Sequence, residues 1–587
     1  MYLNTTVKIP EMKGKIVTKK KGDATYILYQ YGSEYKKEKQ YAVPLRAIVG
    51  KVSTDNPALM FPNEKFQVYF PDVDIAEELP FAYRSCCLRI GSYVIIQKIL
   101  QEYGLPALLE KRLGKKDAGL FLDLVSYMIV DEDNAGQYYP DFAFCHPLFS
   151  ENMTIFSDVK VSRLLNSITR GQSIGFLDDW NRKRDHKQQV YVSYDSTNKN
   201  CQAGEVDIVE FGKAKDDKGL PVFNIGLAFD QTNRIPLFYE EYPGSITDVS
   251  QFRYMVDKVI EYDYKKIGFI LDWGYFSKDN IRYMDDNHYP FIMMVKGCKE
   301  LVSSIVESNR HTFETDRNCS IRAYKVYGKT VTARLYEDDT RDRYFHIYFN
   351  PAKQAAEREK LEQKIDKYKL MFAKQEGEAA YFGKPCEEFF TLKYDKGHHF
   401  LYAEEKKEAI QRLLDLCGYF CIVTSEKMTA EEALVQYKGR DLSEKLFRAD
   451  KSYIDSKSMR VYSSEAVSAK LFVEFVALIV RNRIYNLLKE AMIRMESDPK
   501  YMTVPAALRE LEKIEMVRRN NGQYRLDHAV TKKQKTILSS FGLNEDDILK
   551  AADEISKLLE ENKSLMETEN QQMEDCEVGE EEIDFDY

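Results

Sequence analysis

Between Val190 and Val295 the chain writes three strand-like runs in succession and then changes to strand, helix, strand. The runs Val190–Tyr194, Val222–Phe229 and Ile235–Tyr239 are rich in β-branched and aromatic residues. Turn-forming stretches at Gly212–Gly219 and Asp230–Arg234 separate them. A helical period then covers Val249–Tyr262, and the apolar run Ile267–Leu271 comes next. A second helix near Asp279–Asp286 leads to another run, Phe291–Val295. Strands joined by turns pair antiparallel, whereas strands joined through a helix run parallel. The combination predicts an α/β domain: one mixed sheet with helices on both faces.

The rest of the chain divides around this block. Residues 1–80 read as β-rich, with Thr25–Tyr29 and Lys65–Phe70 as strand candidates and a first basic cluster at Lys13, Lys15 and Lys19–Lys21. Residues 81–188 turn helical. There Val161–Ile168 and Ile174–Trp180, joined at Gly171, end in Arg182, Lys183, Arg184 and Lys187. A helix pair capped by cations suits a DNA-binding domain, and suits equally a plain helical hairpin with a solvated end. The sheet domain then occupies 189–297. An insertion at 298–417 holds β-like pieces (Val331–Leu335, Arg343–Tyr348) and a charged helix, Ala352–Lys374. The sheet resumes in 418–497 with the strand Tyr419–Val423, and helices cover Ala430–Lys451 and Ser464–Met492. A smaller helical region fills 498–565, and 566–587 reads as a disordered acidic tail.

At 587 residues the chain exceeds what one core holds, and its 44% apolar content with 40 Tyr and 32 Phe excludes a mainly disordered protein. The apolar stretch Leu471–Val480 contains Glu474 and is about half of what a bilayer needs, so no membrane partner is expected. The start lacks the pattern of a signal peptide, and ten Cys without paired spacing fit reduced thiols, so a cytoplasmic location is expected. The net charge of −9 misleads as an average. Ten acids and no Lys or Arg lie in Glu567–Tyr587, which leaves the remainder near neutral. The acidic balance therefore does not exclude a nucleic-acid partner.

Two acids stand where strands should end: Asp195 after Tyr194, and Asp272 after Leu271. A third, Glu444, falls in the helix after the last strand. At about 100° per residue it shares one narrow face with Tyr437, Arg440 and Lys451, and Arg448 lies beside them. Singly, each acid also fits a cap or a turn, and the helix face also fits a solvated surface. Jointly, three separated carboxylates would converge at one sheet edge, a hard-oxygen set suited to Mg²⁺, with Mn²⁺ able to substitute. Other features read as structural. Cys417 and Cys421 suit buried thiols, and His398-His399 suits a surface loop. Asp131 and Asp133, Asp178-Asp179, Asp285-Asp286 and Asp338-Asp339 suit helix ends and turns, as Asp207 and Asp230 suit turns.

These residues resemble the DDE transposases of bacterial insertion sequences, in the subgroup marked by Tyr-x2-Arg-x3-Glu-x6-Lys. That pattern is complete as Tyr437, Arg440, Glu444 and Lys451. The block Asp272-Trp-Gly274-Tyr-Phe-Ser277, with Asn280, is similar to the family's second-acid segment, and Asp195-Ser-Thr to its first. Pro243–Asp248 resembles the turn before the next helix, with Ser245 where the family usually has Asn. The likeness runs from about Tyr191 to Ile484. It implies a ribonuclease H-like fold whose β-rich insertion precedes the last catalytic helix. It further implies an enzyme that cuts double-stranded DNA at transposon ends and joins the 3′-hydroxyls to target DNA as a homodimer on DNA. In such a site Asp195 would bridge two metals, with Asp272 and Glu444 holding one each. Arg440 and Lys451 would bind phosphates, and Tyr437 would contact the same strand. Arg448 is a DNA-contact candidate from the helical wheel alone. A non-catalytic DNA-binding descendant and a structure-specific nuclease are the alternative readings.

Overall fold

Strand-forming runs that no local turn could pair find partners far along the chain, and a nine-stranded mixed sheet results. The computed structural model describes residues 7–578, apart from 11, 13, 22–23, 37–40, 54–56, 71–72, 74–83, 185–186, 202–205, 213–218, 265, 276, 296–298, 340, 376–381, 441–458 and 520–521. In chain order the sheet's strands are β1 (Val190–Asn200), β2 (Val222–Asp230), β3 (Ile235–Pro243), β4 (Ile267–Leu271) and β5 (Phe291–Met294). They continue with β6 (Ser320–Ile321), β7 (Val326–Arg334), β8 (Asp342–Phe349) and β9 (Tyr419–Thr424). Their spatial order is β6-β7-β8-β9-β5-β4-β1-β2-β3. The meander β1-β2-β3 is antiparallel, and β4 lies parallel to both β1 and β5.

Side-chain alternation assigns the two faces. Phe269, Leu271, Phe291 and Met293 enter the main core, while Ile270 and Ile292 point the other way, onto Leu434 and Tyr437 of helix α3 (Ala430–Gly439). Helices α1 (Asp248–Glu261) and α2 (Lys278–Asp286) fill the two crossovers around β4. Every residue of β2 is buried, as a strand covered on both faces must be. Helix α4 (Ser464–Arg494) is buried on all sides from Ala469 to Asn482. Its Phe472 packs on Phe121 and Phe176 of the helical region at 4.7 and 4.9 Å, and Phe475 on Tyr239 of β3 at 5.1 Å. One apolar core therefore joins the helical region, the sheet and the C-terminal region. Among the described residues no helix is long and apolar enough to cross a membrane.

Several elements differ from the sequence reading. Lys65–Phe70 is not a strand: Asn63 accepts from the Lys65 amide and caps a helix, Glu64–Tyr69. Phe66 and Phe70, one turn apart, are buried by it while Val68 is exposed, so the apparent alternation is one helical face. The stretch expected to be an insertion contributes β6, β7 and β8 to the main sheet, with β8 paired along its length to β9. The part that does stand apart from the sheet begins after β8. There helix Pro351–Lys374, the hairpin Phe390–Tyr394/Phe400–Glu405 and helix Lys407–Leu416 close a small core around Ile365, Phe372 and Phe400. The C-terminal region holds a hairpin, Glu515–Arg518/Tyr524–Leu526, paired to Cys87–Arg89. The last helix, Glu545–Val578, takes in the first residues of the stretch expected to be a disordered tail, because Glu, Met and Gln sustain a helix there. Residues 579–587 lie outside the described residues.

Candidate active site

The register of two parallel strands sets the site. Strand β4 pairs with β1 from Ile267↔Val190 to Leu271↔Tyr194 and then ends. Strand β1 does not end there, contrary to expectation: it continues to Asn200, paired to β2 alone, with Asp195 opposite Leu227. Asp195 and Asp272 are thus each one step beyond the last matched pair, on strands about 4.8 Å apart. Because Tyr194 and Leu271 face the main core, both acids face the side that carries α3.

Behind Asp195 lies a polar network that the sequence does not announce. The Ser196 amide donates to Asp195 Oδ1 at 2.9 Å, and Ser196 Oγ donates to Asp248 Oδ1 at 2.6 Å. The Tyr242 hydroxyl donates to the same oxygen at 3.1 Å; burial, then Asp248, holds its phenol well above the usual range, so it stays a donor. The Asp248 end of the Pro243–Asp248 turn thereby braces the strand that carries Asp195. Tyr194 crosses β2, where its hydroxyl donates to Glu240 at 3.2 Å; a Cβ on Gly226 would sit 1.9 Å from that oxygen. Further along β1, the buried Lys199 ammonium donates to Glu474 of α4 at 2.6 Å.

Asp272 opens a short 3₁₀ turn, Trp273–Tyr275, in which the Tyr275 amide donates to the Asp272 carbonyl at 3.1 Å. Ser277 caps α2, and the buried Asn280 amide donates to the carbonyls of Tyr275 and Val249 at 3.0 and 3.2 Å. Ser277 and Asn280 therefore hold the turn that presents Asp272. From α3 the Tyr437 hydroxyl makes a long 3.5 Å contact to Asp272 Oδ1, and Arg440, the helix C-cap, places Nη1 3.3 Å from Oδ2. The Arg440 guanidinium also lies 5.4 Å from the Tyr437 ring centroid.

Asp195, Asp272, Tyr437 and Arg440 thus gather at one sheet edge. Glu444, Arg448 and Lys451 fall in 441–458, outside the described residues. Among the described residues no group of three or more ligand side chains forms a metal cluster. Asp195 and Asp272 nevertheless offer hard carboxylate oxygens at a partly exposed edge, donors that fit a divalent cation. The acids, thiols and histidines away from this edge behave structurally. Asp230 accepts from the Thr232 and Asn233 amides at 2.8 and 3.0 Å, and Asp179, within its helix rather than at its end, pairs with Lys111 and Arg112. Cys417 and Cys421 are free and buried, and His399 sits in a turn closed by Asp395. Of the cations ending the helix pair Asp158–Ser167/Arg170–Arg182, Arg184 lies 4.0 Å over the Trp180 ring.

No curated protein matches the chain. Among solved structures, a piggyBac transposase in a synaptic complex with hairpin DNA is similar over 76% of this chain and 74% of its own, at 9% identity and a TM-score of 0.32. The family model described as "Transposase DDE domain" matches residues 186–480, from just before β1 into α4. That range is half of the chain and contains both acids and the helix that reaches Asp272. The chain belongs to the transposase DDE-domain family.

Proposed function

We propose that the chain is a transposase of the insertion-sequence subgroup marked by Tyr437, Arg440, Glu444 and Lys451, with a ribonuclease H-like catalytic sheet. It binds the terminal inverted repeats of its element, cleaves the DNA there and joins the 3′-hydroxyl ends to target DNA, acting as a homodimer on DNA in the cytoplasm. The observation that carries this reading is the meeting of Asp272, Tyr437 and Arg440 beside Asp195 at one strand end. A ribonuclease H-like assignment draws support from the β3-β2-β1-β4-β5 order within the sheet.

In this mechanism Asp195, Asp272 and Glu444 would hold Mg²⁺ or Mn²⁺. Bound divalent cations supply activation of the attacking oxygen and charge stabilisation of the leaving one. The Ser196–Asp248–Tyr242 network fixes the strand under Asp195, and Asn280 fixes the turn under Asp272. Both acids are thereby oriented before substrate arrives. Arg440 presents a planar, permanently charged fork that binds a phosphate oxygen beside the scissile bond. Tyr437 donates its hydroxyl to the same strand, and Lys451 and Arg448 add cationic contacts along it. The helix pair at 158–182 contributes further DNA contacts.

The test is a supercoiled plasmid carrying two element ends, incubated with protein and Mg²⁺. Excision together with joined products is expected. Binding without cutting would replace this reading with a DNA-binding descendant, and cutting without joining would replace it with a nuclease.

A further inference from the structure

The sheet of the first 62 residues has one packed face and one open face. Its strands Val7–Lys8, Ile16–Lys21, Ala24–Lys36, Tyr41–Val52 and Leu59–Pro62 are all antiparallel. Ile27, Val49, Met60, Phe66 and Phe70 close the inner face against the helix Glu64–Tyr69. Register then dictates the other face. Lys19 stands opposite Tyr26, Tyr26 opposite Lys51, and Lys51 opposite Phe61. Directly opposed residues share a face, so one row across four strands reads cation, aromatic, cation, aromatic. The next row is Val17, Leu28 and Ile48, and beyond it Gln30 stands opposite Arg46.

Lys19, Arg46 and Ile48 are exposed, and Tyr26, Leu28, Lys51 and Phe61 are half-buried. The solvated face of an antiparallel sheet is ordinarily polar. Here it is apolar and aromatic, carries Lys19, Lys51 and Arg46, and holds no acid in these rows. An exposed surface of that composition marks a partner that is both anionic and able to stack.

We propose that this face binds single-stranded DNA. Unpaired bases stack on aromatic rings while phosphates meet the cations between them, whereas bases inside a duplex cannot reach a flat sheet. With strands about 4.8 Å apart, Tyr26 and Phe61 stand roughly 10 Å apart with Lys51 between them, which leaves a phosphate seated between two stacked bases. The proposal rests on the transposase reading only for its choice of DNA over RNA.

The test uses the full chain, a fluorescein-labelled thymidine 20-mer and fluorescence anisotropy across a salt series. Tyr26→Leu should weaken binding about tenfold and Tyr26→Phe should not, since stacking survives in Phe. The double change Lys19→Ala/Lys51→Ala should flatten the plot of log affinity against log salt by about 1.4, as two lost phosphate contacts require. Iodouracil-substituted oligonucleotide should photocrosslink to peptides containing Tyr26 or Phe61, a readout independent of whether Tyr26→Leu folds. Unchanged affinity and slope would overturn the proposal. So would crosslinks confined to other regions, or an equal loss on a blunt 20-base-pair duplex, which would mark a plain cationic surface. A protein that binds thymidine oligomers through this face yet never cuts would refute the transposase reading alone.

Discussion

The Arg440 guanidinium reaches from the end of α3 to within 3.3 Å of an Asp272 carboxylate oxygen. Residues 168 positions apart in the chain thereby meet with opposite charges where β4 ends, beside the strand that carries Asp195. The pair is partly solvated, Asp272 at 30% and Arg440 at 14% side-chain exposure. It is therefore worth about 0–1 kcal/mol to folding, and its role is sought in function.

Arg440→Ala should accordingly leave the melting temperature nearly unchanged while cleavage falls by about tenfold or more. The salt slope of end binding should shrink by about 0.9, one phosphate contact. Calorimetry beside a cleavage assay separates the two effects. A large fall in melting temperature would make Arg440 a structural residue instead.

Asp195→Asn and Asp272→Asn should each reduce cleavage roughly a thousandfold or more, since each removes a ligand to chemistry worth several kcal/mol. Binding of element ends, measured by gel shift, should persist. Glu444→Gln should behave alike, and normal turnover in any one of the three would remove that residue from the site.

The Lys199–Glu474 pair ties the far half of β1 to α4, with both side chains at or below 2% exposure. Removing one partner strands a buried charge. Glu474→Leu should therefore destabilise the protein by about 3–5 kcal/mol, and Lys199→Met/Glu474→Leu should recover much of that loss. Urea denaturation of the single and double variants measures the difference.

His346 lies wholly buried in β8, between the hydroxyls of Thr330 at 2.9 Å and Thr424 at 3.0 Å, and burial depresses its pKa to about 4. The unfolded chain therefore binds the proton more readily between pH 6.5 and 4. Stability contributed by neutral His346 is present above that window and lost as pH falls through it, by about 3 kcal/mol in all. Wild type should lose that much more than His346→Gln between pH 7 and 4 in denaturant titrations. Parallel curves would show that His346 does not titrate as described.

What can be read from the sequence comes from local signals. The run Val222–Phe229 is apolar because both of its faces are covered, and Asp272 is placed correctly because β4 stops at Leu271. Asp195 reads as a strand end because Ser196, Thr197, Asn198 and Lys199 look like a polar turn. They are buried instead, and for Ser196 and Lys199 the partners, Asp248 and Glu474, are supplied from afar. The membership of β7 and β8 in the main sheet is invisible for a similar reason. Their link to it is β9, about 70 residues downstream, and periodicity reports a strand without naming its neighbour. At Lys65–Phe70 a single capping side chain, Asn63, decides between two periods that six residues alone cannot separate.

The close approach of Tyr194 to Gly226 has an outcome for anyone mapping this protein by saturation mutagenesis. Position 226 carries no reacting group, yet every amino acid larger than glycine would push against the tyrosine that immediately precedes Asp195. In an activity screen it would score as intolerant as the acids themselves, an apparent active-site residue that has no side chain.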